Sequence, residues 1–150
     1  MNLDALESNL EIEFKNKNLL REALTHRSYL NEHQEPERHS NERLEFLGDA
    51  ILEFIVSWLL YKHFPHEPEG FLTACRSQVV QTKTLSSLAA KFNLGQFLFL
   101  SKGEEESGGR NNAGLLENAL EAIIGAVFFD QGIEKMTQFI TKHFLPVIEN

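Results

Sequence analysis

The sequence predicts an all-α fold, and three observations carry that expectation. No stretch sustains the alternation of apolar and polar residues that a half-buried strand requires. Two long stretches, Asn41 to about Phe64 and Ala113–Asp130, instead carry apolar side chains around most of a helical circumference. Breakers fall between the apolar stretches, at Pro36, Pro65 and Gly132, where a helix ends rather than continues. With 150 residues and 42% hydrophobic side chains, the chain is long enough for one domain around a single core.

The elements follow in order. Asp4–Leu10 is a short amphipathic piece, and Phe14 opens a connection. Asn18 is the expected N-cap of LLREALTHRSYL, with apolar positions at Leu19, Leu20, Ala23 and Leu24. Asn31–His39 is polar, contains Pro36, and reads as a loop. Ser40 is expected to cap the central helix, which Pro65 stops. After the loop HEPEG, Phe71–Val80 and Leu85–Phe92 read as two helices separated near Thr82–Thr84. Asn93–Asn112 is the longest irregular stretch, and it holds the acidic run Glu104–Glu106; a loop that long in a compact domain is usually functional. Ala113–Asp130 is the second strongly apolar helix, ended by Gln131-Gly132, and Ile133–Ile148 is the last.

Composition narrows the function classes. The formal net charge is -8, which argues against a simple electrostatic nucleic-acid binder; this chain alone should hold RNA weakly. No apolar run reaches the ~18 residues that a membrane span needs, and Glu53 interrupts the longest. The acidic N-terminus lacks the order of a signal peptide, and Cys75 is alone, so a reducing cytoplasm is the expected compartment. None of the six histidines pairs with another at ligand spacing in an acidic motif.

The chemistry-bearing residues lie on the two apolar helices. At about 100° per residue, Glu42, Glu45 and Asp49 fall in one narrow stripe of the first helix. Acids crowded on a core helix repel one another and lose hydration, so a divalent cation that takes hard oxygen ligands would offset them. Gly48, inside that helix, costs about 1 kcal/mol relative to Ala and marks a place where something packs closely. On the second helix Glu117, Asn118 and Glu121 are the polar exceptions, with Asn118 and Glu121 sharing a face. Two such helices side by side can pool oxygen ligands, as carboxylate metal sites in helical bundles do. The alternative, for both helices, is a solvated polar stripe.

The run NERLEFLGDA resembles the signature stretch of the ribonuclease III family, and the flanks agree: ALTHRSY before it, EGFLT and a SKGEE-SGGR stretch after it, and LEAIIGAVFFDQG near the end. The resemblance covers nearly the whole chain. It implies a nuclease domain over residues 1–150, of about seven or eight helices, with no double-stranded-RNA-binding domain in this chain. It implies a homodimer, with Phe46 at the subunit interface, that cuts double-stranded RNA to 5′-phosphate and 3′-hydroxyl ends with short 3′ overhangs. Mg²⁺ is the implied cofactor, with Mn²⁺ able to substitute. By the same resemblance, Glu45, Asp49, Asn118 and Glu121 hold metal, and Asp49 and Glu121 are the catalytic pair. Glu42, Glu69 and Glu104 fall on supporting acidic positions. Asn118 departs from the family pattern, which has Asp there; it implies an attenuated nuclease, a non-catalytic relative that binds RNA or a partner, or a tolerated change partly compensated by Glu117. Arg27, Arg76, Lys102 and Arg110 are candidate phosphate contacts.

Overall fold

The computed structural model describes residues 1–150. Its eight α-helices are α1 (Leu3–Leu10), α2 (Lys17–Ala23), α3 (Arg27–Glu32), α4 (Glu42–His63), α5 (Glu69–Val79), α6 (Thr82–Lys91), α7 (Lys102–Glu106) and α8 (Ala113–Glu149). Two 3-10 turns, Leu94–Phe97 and Gly109–Asn111, flank α7. No strand forms; Thr25 and Phe99 make an isolated parallel bridge. The all-α expectation holds.

The first half of α8 is the most enclosed element. Ala119, Leu120, Ala122, Ile123, Ile124, Ala126 and Val127 are all fully buried, with α4 packed against it. Its stop is where the sequence placed it. Gly132 adopts φ 88°, a left-handed value that suits glycine, so α8 is broken there and resumes in another direction. The break is tied to the chain's start: the Asp130 carboxylate accepts the N–H groups of Lys15 (2.8 Å) and Asn16 (3.0 Å).

α4 differs from the expected core helix on one side. Leu44, Ile51, Leu52, Ile55, Val56, Leu59 and Leu60 are buried, yet Phe46 is 82% exposed and Phe54 63%. Trp58 and Tyr61 continue this bare aromatic face toward the C-terminal end. A helix apolar all round that is covered on one side only leaves an apolar surface for another body.

Four local expectations are corrected. The stretch LLREALTHRSYL is not one helix: it breaks at 24–26, because Phe99 N–H donates to Leu24 O (2.9 Å) and His26 N–H to Phe99 O (3.0 Å). Helical periodicity ran through that point, and two hydrogen bonds from 73 or more residues away overrode it. The cap of α2 is Asn16, whose side chain accepts Asn18 N–H at 3.0 Å, rather than Asn18. At α4 the N-cap is Asn41, which is buried and pinned to Thr25 O and Ala23 O, while the Ser40 hydroxyl only assists at Glu42 N–H (3.4 Å). Asn93–Asn112 is not irregular either. Ser101 caps α7 through Glu104 N–H, Glu32 receives Lys102 N–H, and Arg110 donates to the carbonyls of Gly95 and Leu98. Short helices fixed by such long-range polar contacts have no periodic signature.

Candidate active site

The site grows out of the crossing of α4 and α8, and glycine makes that crossing possible. A Cβ on Gly48 would sit 1.7 Å from the carbonyl oxygen of Glu121, and one on Gly125 would sit 2.3 Å from Leu44 O. The two backbones touch, as the helix-interior glycine at 48 suggested. Because Gly48 lies between Glu45 and Asp49, the contact brings the acids of α4 beside Glu121 of α8.

Electrostatics show how crowded these acids are. Glu45 is half-buried, and its pKa is raised, first by burial and then by the charges of Glu42, Asp49 and Glu117. Glu121 is 7% exposed, and its pKa is pushed up to about 8 by burial and by Asp49, Glu117, Glu45 and Glu53. Every charge acting on it there is another carboxylate, and no salt bridge holds it. A nearly buried acid surrounded by acids is electrostatically costly unless a proton or a cation occupies the site. The donors are hard oxygens, the chemistry that Mg²⁺ and Mn²⁺ accept. No three carboxylate, imidazole or thiol groups stand close enough together to hold an ion as they are; what the crossing offers is the donor type and the charge. The residues fit a divalent ion in kind and in charge.

Of the residues named from the sequence, the crossing gathers Glu42, Glu45, Asp49 and Glu121, with Glu117 among them. Asp49 is exposed, and Asn118 is half-buried on α8 beside Glu117. Glu42 is exposed and accepts the Ser40 hydroxyl. Glu69 and Glu104 are not among the charges that act on Glu45 or Glu121. Glu69 sits at the start of α5 and accepts the Thr73 hydroxyl, and half-buried Glu104 sits in α7. Arg110 is a structural tie: besides its two carbonyl partners it pairs with Glu105 at 2.9 Å, and Glu105 is held below the usual carboxylate range as a result. Arg76 pairs with Glu53 (3.2 Å) and donates to Ser57 (2.9 Å), while Arg27 and Lys102 are exposed.

Two participants were not legible as such. Glu53 continues the line Glu45, Asp49 by one more turn and reaches Glu121; its i+4 spacing was a usable signal. Arg38, in the loop before α4, lies between the rings of Tyr29 and Phe99 at 4.5 and 4.1 Å. It also donates to Thr25 (3.2 Å) and Glu35 (3.0 Å), so it fixes the chain leading into Asn41. No sequence pattern marks such a residue in a polar loop.

Comparison with known proteins places the chain by family and by fold. A family profile described as Ribonuclease-III-like matches residues 16–148. Ribonuclease 3 of Roseiflexus sp. (strain RS-1) is 45% identical over 149 residues, covering 98% of this chain and 61% of that protein. Ribonuclease 3 of Syntrophotalea carbinolica is 46% identical over 144 residues, covering 96% and 62%. The chain thus spans somewhat under two thirds of the length of these curated relatives. The solved nuclease domain of ribonuclease III from Campylobacter jejuni superposes with a TM-score of 0.86 at 40% identity, covering 96% of this chain and 99% of that one. Dicer from Pichia stipitis shares the fold at a TM-score of 0.66 and 26% identity, covering 90% of this chain and 57% of that one. With a family profile matched over residues 16–148, relatives about 45% identical over nearly the whole chain, and the same helical fold in a solved nuclease domain, this chain belongs to the ribonuclease III family.

Proposed function

We propose that this chain is a divalent-metal-dependent endonuclease domain, residues 1–150, that cleaves double-stranded RNA in the cytoplasm. The observation that carries the reading is Glu121: nearly buried, unpaired, and pushed up to about 8 first by that burial and then by the carboxylates around it. Glu45, Asp49, Asn118 and Glu121 are the residues to hold Mg²⁺, with Mn²⁺ as a substitute. When bound, the ion supplies Lewis-acid stabilisation of charge at phosphorus and lowers the pKa of an attacking water. Asp49, exposed at the rim, orients that water and takes its proton; Glu121, enclosed, fixes the α8 side of the site. Glu42, Glu69 and Glu104 act from the periphery, on RNA placement or the outer hydration of the ion. Duplex RNA is recognised by shape, 2′-hydroxyls and phosphates, so sequence preference is slight. The products are 5′-phosphate and 3′-hydroxyl ends. Incubation with long duplex RNA and Mg²⁺, with and without EDTA, tests the proposal; intact RNA under both conditions would remove it and favour a non-catalytic RNA- or partner-binding domain, the reading that the uncharged Asn118 supports.

The bare aromatic face of α4 supports a homodimer centred on Phe46, and the ribonuclease III of Campylobacter jejuni is described as having a region involved in dimer formation. Two sites facing one cleft cut opposite strands, which leaves short 3′ overhangs. Burying Phe46 contributes about 1.5–3 kcal/mol, counted twice across a two-fold interface. Phe46→Ala should therefore weaken association by roughly 10²–10⁴-fold. Sedimentation that shows a monomer at micromolar concentration before the substitution disproves the dimer and the staggered cut together.

Asn118 carries its own prediction. Asn118→Asp adds a charge to a partly dehydrated site, and its attraction to a dication outweighs the added repulsion once the ion is present. The variant should bind metal more tightly and cleave faster at limiting Mg²⁺, with the gap closing as Mg²⁺ rises. Unchanged metal dependence would mean that Asn118 is not a ligand.

A further inference from the structure

Two acids at the α4–α8 crossing have no task in the proposed site: Glu53, which is paired with Arg76, and Glu117, which no cation pairs. Glu117 stands one turn before Glu121 on α8, at the i,i+4 spacing that puts two side chains on the same edge of a helix. It is half-buried, and its charge acts both along α8 on Glu121 and across the crossing on Glu45. The second observation is Glu121 itself, a carboxylate 7% exposed, without a salt bridge, and set into this cluster. Asn118, the other polar residue of this turn, brings an oxygen without a charge. Of the polar groups that α8 brings to the acids of α4, then, only Glu117 and Glu121 can neutralise a cation.

We infer that Glu117 binds the divalent ion together with Glu45, Asp49 and Glu121, directly or through one water, as the second carboxylate that α8 supplies. This rests on the metal-dependent reading above. A merely solvated Glu117 would act on the ion only through solvent-screened charge and would leave the Mn²⁺ midpoint nearly unchanged. A ligand destabilises the metal-free protein through repulsion and also shifts metal binding strongly.

Thermal unfolding with EDTA and across a Mn²⁺ titration separates these cases, and the electron paramagnetic resonance signal of free Mn²⁺ counts bound ion independently of stability. Glu117→Gln, nearly isosteric, should raise the melting temperature in EDTA and move the Mn²⁺ midpoint up on the order of tenfold or more. Glu121→Gln serves as the reference and should abolish the Mn²⁺-induced shift. Should Glu121→Gln abolish it while Glu117→Gln leaves the midpoint unchanged, the inference fails and the site reading stands. Should both variants bind Mn²⁺ as the parent does, the acidic site and the inference fall together.

Discussion

Gly48→Ala is expected to cost about 3 kcal/mol or more of folding stability, and to remove metal binding from whatever fraction still folds. On an exposed helix the same change would stabilise by about 1 kcal/mol, since alanine favours the helix. Here the new methyl would lie 1.7 Å from Glu121 O, 2.6 Å from its carbonyl carbon and 2.9 Å from Gly125 N. All three are backbone atoms of a hydrogen-bonded helix, so no rotamer change relieves the contact. α4 and α8 must separate, and because each lends the other its buried face, the separation opens the core. It also carries Glu121 away from Glu45 and Asp49. Gly70, where a Cβ would meet nothing within 4 Å, is the control: Gly70→Ala should be neutral or slightly stabilising. Urea unfolding of the two variants settles the matter. If Gly48→Ala is as stable as its parent, the helices do not cross at this glycine.

What the sequence made legible follows a physical division. α4 and α8 were readable because each is long, apolar and bounded by Pro65 or Gly132, and their acids because carboxylates on apolar helices stand out against their background. Gly48 was readable as a close approach, although its partner was not: nothing in the chain's order says that Glu121 O lies against it. The break at 24–26, the helix α7 and the role of Arg38 depend on contacts between residues far apart in the chain, namely Leu24 with Phe99, Glu32 with Lys102, and Arg38 with Phe99. Periodicity is local and cannot report these. How far the bare face of α4 extends, from Phe46 to Tyr61, was not legible for a related reason, since apolar character fixes which faces avoid water but not which body covers them.

The largest effect expected at the site itself comes from Glu121→Gln, and it runs in opposite directions for stability and activity. The Glu121 carboxyl is pushed from the ordinary 4.5 to about 8 in the folded chain. The folded form therefore holds a proton that the unfolded form has released. This stabilisation is fully present below about pH 4.5 and is lost as the pH rises through about 8. At about 1.4 kcal/mol per unit, the metal-free protein loses up to about 5 kcal/mol across that window. Glutamine stays neutral throughout and forgoes the loss. In EDTA at pH 8, Glu121→Gln should therefore melt higher than its parent, by up to roughly 10–20 °C for a domain of this size. Near pH 5 the two should nearly coincide. Metal changes the comparison: the ion takes the place of the proton on Glu121, so Mg²⁺ should raise the parent's melting temperature more at pH 8 than at pH 6, and that of the variant hardly at all. Cleavage should fall on the order of 10³-fold, the equivalent of several kcal/mol of charge stabilisation lost with the ion. Greater stability without metal, joined to lost cleavage, is the mark of a carboxylate kept for an ion rather than for the fold. Melting curves of parent and variant in EDTA that superimpose from pH 5 to pH 8 would show that Glu121 is not a carboxyl raised by burial and crowding, and the site would have to be sought elsewhere on the chain.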